Sequence, residues 1–99
     1  MTATKEDVME ALSKTMHPEI NFSLIKLGMV KDIEIKNSEV SVTLVLPFYE
    51  IPIKDYLIEL IKKSIETLDK NLKIEIKTAV MTDEEREKFM NLSREGWKF

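Results

Sequence analysis

The stretch between Pro52 and Leu72 constrains the fold more than any other part of this chain. Ile53, Leu57, Leu60, Ile61, Ser64, Ile65 and Leu68 recur at helical spacing, with Lys54, Glu59, Lys62, Lys63 and Glu66 on the opposite side. Pro52 suits the first turn of such a helix, where a missing N–H costs nothing. Upstream, Val40, Val42, Leu44 and Leu46 alternate with Ser41, Thr43 and Val45; downstream, Leu72, Ile74 and Ile76 alternate with Lys73, Glu75 and Lys77. Each is the period-two pattern of a strand. A strand, a helix of several turns and another strand form a crossover, and a crossover of this length implies a parallel pairing somewhere in the sheet.

The remaining elements fit around that unit. Thr4 with Asp7 marks a helix start, and Val8, Ala11, Leu12 and Thr15 then share a face, with an end near Met16 because Pro18 disfavours helix in the residue before it. From Pro18 to Gly28 no period is sustained, so this stretch reads as an ordered loop or a short helical turn. Ile33 and Ile35 alternate with Asp32 and Glu34, and Lys36-Asn37-Ser38 turns the chain into the Val40 strand as a hairpin that Pro47 ends. Asp69-Lys70-Asn71 closes the central helix. Thr82-Asp83-Glu84-Glu85 is a capping box opening a third helix that ends near Gly96. The expected class is α+β, in the order αββαβα: a small mixed three-stranded sheet with helices packed on one face. It reads as one domain over residues 1–99, with the last helix and tail from about residue 82 onward. Met9, Met16, Met29 and Met90 fall at or near positions that this reading buries. Trp97 and Phe99, beyond Gly96, either fold back on the sheet or dock on another subunit.

Several function classes drop out on composition. A net charge of −3 opposes a dedicated phosphate-backbone binder. With only Gly28 and Gly96, neither a dinucleotide fingerprint, a phosphate loop nor the Gly-x-x-Gly clamp of a KH domain can be written. The absence of cysteine excludes a disulfide framework, a thiolate nucleophile and an all-cysteine metal site. No apolar run reaches membrane-spanning length, and the start of the chain is polar and acidic, so a cytoplasmic location is the expectation.

The run from His17-Pro18-Glu19 to Leu27-Gly28-Met29-Val30, followed by the hairpin and then by Pro47-Phe48-Tyr49-Glu50-Ile51-Pro52, resembles the MIP18-like family of iron–sulfur cluster assembly factors. The likeness covers roughly Val8 to Met90. It implies a fold similar to the C-terminal domain of NifU-like scaffolds and a role as an accessory factor. The tail from Met81 to Phe99 is similar to members found beside or fused to Mrp-type ATPases. Two departures matter. The family's Cys-Pro pair reads Ile51-Pro52 here, and its usual aspartate before Pro-Glu is His17.

The family motif positions His17, Glu19, Tyr49, Glu50, Ile51 and Pro52 are therefore the candidate binding residues. Ile51 cannot supply a thiolate and is expected, with Phe48, to fill the core or cap the end of the sheet. Tyr49 and Glu50 sit at a loop tip, either for recognition or as a cover for the core and a charge near a helix N-terminus. The leading expectation is a non-enzymatic adaptor in metal–sulfur cluster assembly, with no catalytic residue, resident metal or cofactor. It would act through partners such as an Mrp-type ATPase or client apoproteins, with no nucleic acid and no membrane. A homodimer through the tail or the strand edges is compatible with a three-stranded sheet. The alternative is a small metal-dependent or acid/base enzyme using His17 and Glu19, since a histidine titrates near neutral pH.

Overall fold

The computed structural model describes residues 4–49 and 51–98. Three helices, α1 (Lys5–Ser13), α2 (Lys54–Glu66) and α3 (Asp83–Gly96), accompany three strands, β1 (Val30–Lys36), β2 (Glu39–Leu46) and β3 (Lys73–Val80), in the order αββαβα. The sheet runs β1-β2-β3, antiparallel between β1 and β2 and parallel between β2 and β3. The α+β class and mixed three-stranded sheet are as expected, and α2 is the crossover.

Both capping boxes form. The Thr4 hydroxyl accepts from the Asp7 N–H while Asp7 accepts from the Thr4 N–H, and Thr82 and Glu85 repeat the exchange at α3. Helix α1 stops at Ser13, short of Met16, because the chain is already turning to bond elsewhere: the Leu24 N–H donates to the Thr15 carbonyl at 2.9 Å and Met16 bridges Ser23. Helix α2 starts two residues after Pro52. Residues 51–54 instead form a type I turn, with Pro52 in its second position, Ile53 at φ −93°, ψ 10°, and the Lys54 N–H donating to the Ile51 carbonyl at 3.2 Å.

One irregularity shapes the first strand. Val30 and Ile33 are both buried, which strict alternation forbids. The register with β2 shifts between Lys31 and Glu34, and Asp32 adopts a positive φ of 52°, so an extra residue brings both apolar side chains inward. The hairpin turn has positive φ at Asn37 (50°) and Ser38 (64°), the backbone of a type I′ turn, whose twist matches that of the strands.

The core joins Val40, Val42 and Leu44 of β2 to Leu57, Ile61 and Ile65 of α2, to Val8 and Leu12 of α1, and to Leu24, Leu27 and Met29 of the long loop. Each fully buried aliphatic side chain contributes about 1.5–3 kcal/mol. Gly28 lets the chain leave that loop, with φ at +75°. Three of the four methionines expected inside, Met9, Met16 and Met90, are exposed, and only Met29 is buried. Met9 lies a hundred degrees around α1 from Val8, and Met16 falls beyond the helix.

Helix α3 is held mainly by loops. Phe89 is buried, the Asn21 N–H donates to the Gly96 carbonyl at 2.6 Å, and Ile20 bridges Trp97. The tail at Trp97 thus folds back onto the 19–21 segment; Phe99 lies outside the described residues.

Candidate functional site

The His17 loop, the segment after β2 and one face of α3 border an open cavity of about 690 Å³. His17, Glu19, Ile51 and Pro52 line it, joined by Met29, Phe48, Phe89, Met90, Arg94 and Trp97. Four of the six candidate residues therefore meet in one place. Tyr49 is 86% exposed and does not line it, so it offers the core no cover. Glu50 lies outside the described residues.

His17 is buried, 3% exposed, and is held at two points. Its backbone N–H donates to the Phe22 carbonyl at 3.1 Å, and its Nδ1 accepts from the Glu19 backbone N–H at 3.0 Å. An amide N–H can only donate, so the lone pair of the neutral ring is on Nδ1 and its proton is on Nε2. Burial lowers the pKa of His17 below 6.5, Glu19 partly offsets this, and Lys98 adds to it. The side chain thus serves as a neutral pin for the Pro18-Glu19 turn.

Ile51 is half-buried and packs against the core, as the reading of this position expected. Phe48 departs from that reading: it is 50% exposed and lies under the Arg86 guanidinium, 5.4 Å from its ring centre. Arg86 also donates from Nε to the Pro47 carbonyl at 2.7 Å and from Nη2 to the Met81 carbonyl at 3.1 Å. This arginine couples the segment after β2 to α3. Sequence reasoning missed it, together with Phe89, Met90 and Arg94 as cavity residues. Their spacing identifies a helix face but not which loop that face will meet.

A cluster ligand set is not present in this arrangement. The 99 residues hold no cysteine, and among the described residues no group of three or more His, Cys, Asp or Glu side chains converges. The only histidine has its Nδ1 lone pair engaged. The residues here do not fit a directly held iron–sulfur cluster.

Residues 5–77 match the family described as iron-sulfur cluster assembly protein. Over 83 residues, 84% of its length, the chain is 31% identical to an iron-sulfur cluster carrier protein of Synechocystis, and over 85% of its length it is 33% identical to one of Mycobacterium leprae. It spans about a quarter of the length of these relatives, 24% and 22%. Among solved structures it resembles a domain of unknown function from Bacillus anthracis, with a TM-score of 0.71, 19% identity and coverage of 89% of this chain and 90% of that one. A conserved hypothetical protein of Thermotoga maritima superposes with a TM-score of 0.69 at 26% identity, over 90% of this chain and 98% of that one.

Proposed function

The chain belongs to the iron–sulfur cluster assembly protein family, and from that premise we propose that it is a cysteine-free, non-enzymatic adaptor that docks a protein partner over the cavity of the His17 loop. Membership supports a role in iron–sulfur cluster assembly; the non-enzymatic adaptor character, the partner and the docking mode are the proposed parts. The observation that carries it is the cavity itself, where Ile51 stands at the motif's cysteine position among apolar neighbours, with Phe48 and Met90 partly exposed. Such a surface suits the apolar anchor of another protein better than it suits a metal–sulfur cargo. The relatives are about four times as long as the segment matched here, which favours a domain that works beside further protein. The partner we expect is an Mrp-type ATPase or an iron–sulfur client apoprotein.

The acid/base or metal-dependent alternative draws less support from the same residues. With Nδ1 accepting from the Glu19 N–H, neutral His17 offers a proton donor at Nε2 and has no free lone pair for a metal or for a base.

Two measurements test the proposal. Tagged chain from its native cell extract should retain such an ATPase or apoprotein, and Phe48→Glu with Met90→Glu should release it while the thermal midpoint stays near that of wild type. Anaerobic incubation of the purified chain with iron and sulfide should leave no stoichiometric chromophore. A stable cluster on the chain alone would defeat the adaptor reading.

A further inference from the structure

The free edge of β3 has the hydrogen-bond polarity and charge pattern of a self-complementary strand, and we infer that it pairs antiparallel with β3 of a second copy, centred on Ile76. Among the described residues the order β1-β2-β3 leaves two unpaired edges. That of β1 is broken by the bulge at Asp32, a device that discourages pairing. Strand β3 has no such break: it keeps one register with β2 from Lys73 to Val80.

The backbone of β3 shows which groups are available. The Lys73 N–H donates to the Ser38 carbonyl at 2.9 Å and the Met81 N–H to the Leu46 carbonyl at 2.7 Å. Odd-numbered residues thus turn their amides toward β2, and the N–H and C=O of Ile74, Ile76, Thr78 and Val80 project from the open edge. A two-fold axis normal to the sheet sets each residue opposite one of the same parity, so these outward groups meet their own kind in every such register.

Charge then selects among registers. With Ile76 opposite its own copy, Ile74 faces Thr78, and Glu75 faces Lys77 twice over. Glu75 and Lys77 already sit 3.7 Å apart on one strand, so the dimer makes a square in which every neighbour has the opposite sign. A one-residue shift of the axis to Glu75 opposes Glu75 to itself and Lys73 to Lys77, and a shift to Lys77 opposes Lys77 to itself. Moving the axis to Thr78 opposes no charges, and moving it to Ile74 keeps complementary pairs but runs off the start of the strand. Only the Ile76 register combines overlap of all the strand but Val80 with complementary charge. The side chains of Lys73, Glu75, Lys77 and Thr78 are exposed, and those of Ile74 and Ile76 are half-buried.

Sedimentation of the full chain across rising concentration at low salt tests this. Wild type should shift toward twice the monomer mass. Glu75→Lys and Lys77→Glu should each weaken association about fivefold or more by setting like charges opposite. An equimolar mixture of these two variants should recover it as a heterodimer, and the double variant as a homodimer. Thr78→Pro removes an N–H that points away from β2, so it should abolish the dimer while far-ultraviolet circular dichroism stays native. A wild type that remains monomeric throughout, or single variants that associate as well as wild type, would overturn the inference.

Discussion

Arg86 donates from Nε to the Pro47 carbonyl at 2.7 Å, tying α3 to the exact point where β2 ends. The same guanidinium reaches the Met81 carbonyl and covers Phe48, so one side chain holds the start of α3, the end of β3 and one wall of the cavity. Arg86→Ala is expected to cost about 1–3 kcal/mol, from lost charge-assisted bonds to two carbonyls. Arg86→Lys should recover little of it, because an ammonium lacks the planar fork. Urea denaturation would show a lower midpoint at unchanged slope.

Acid should weaken the fold through His17. Burial is the main reason its pKa in the folded chain lies below 6.5, so the unfolded chain binds the proton more readily. The stability it contributes is complete above 6.5, shrinks as the pH falls through that value, and is gone below the folded pKa. His17→Asn keeps an acceptor for the Glu19 N–H and cannot titrate, so this part of the pH dependence should vanish from its denaturation midpoints. Glu85, whose pKa the Thr82 N–H holds below 4.5, contributes in a separate and more acidic window.

Gly96→Ala should loosen the end of α3. A Cβ there would lie 2.7 Å from the Phe22 ring and 3.2 Å from the Ile20 side chain. Relief requires the ring to swing away, at a cost of about 1–3 kcal/mol. Calorimetry should find a lower Tm, and the Asn21 amide should exchange with solvent faster.

Ser38→Gly is expected to stabilise the hairpin by about 0.5–1 kcal/mol. Ser38 holds φ 64°, where its Cβ is strained, and its side chain is exposed. The Lys73 bond is to the Ser38 carbonyl and survives the change. A rise in Tm with an unaltered spectrum would confirm the expected direction.

The elements and their order can be read from local rules: the boxes at Thr4 and Thr82, the Asn37-Ser38 turn, and a crossover that demanded a parallel neighbour. The bulge at Asp32 is less evident, since its trace is only the phase conflict between Val30 and Ile33. The cavity is harder still. His17, Glu19, Ile51 and Pro52 stood out through their motif, but Phe89, Met90 and Arg94 join them only because α3 swings back to meet the 19–21 segment, a tertiary event with no local period. The exposed Met9 and Met90 follow from the same limit, as each is next to a buried residue rather than on its stripe.

The central place of β2 also sets the order in which the chain can assemble. Its pairing with β1 needs only a tight turn and closes within about 1–10 μs, as hairpins do. Its pairing with β3 must wait until α2 has spanned the gap, a larger loss of chain entropy before any reward. For that interval the far side of β2 is an open template, and a nascent chain would pass its most vulnerable moment after the hairpin has emerged and before Lys73 arrives.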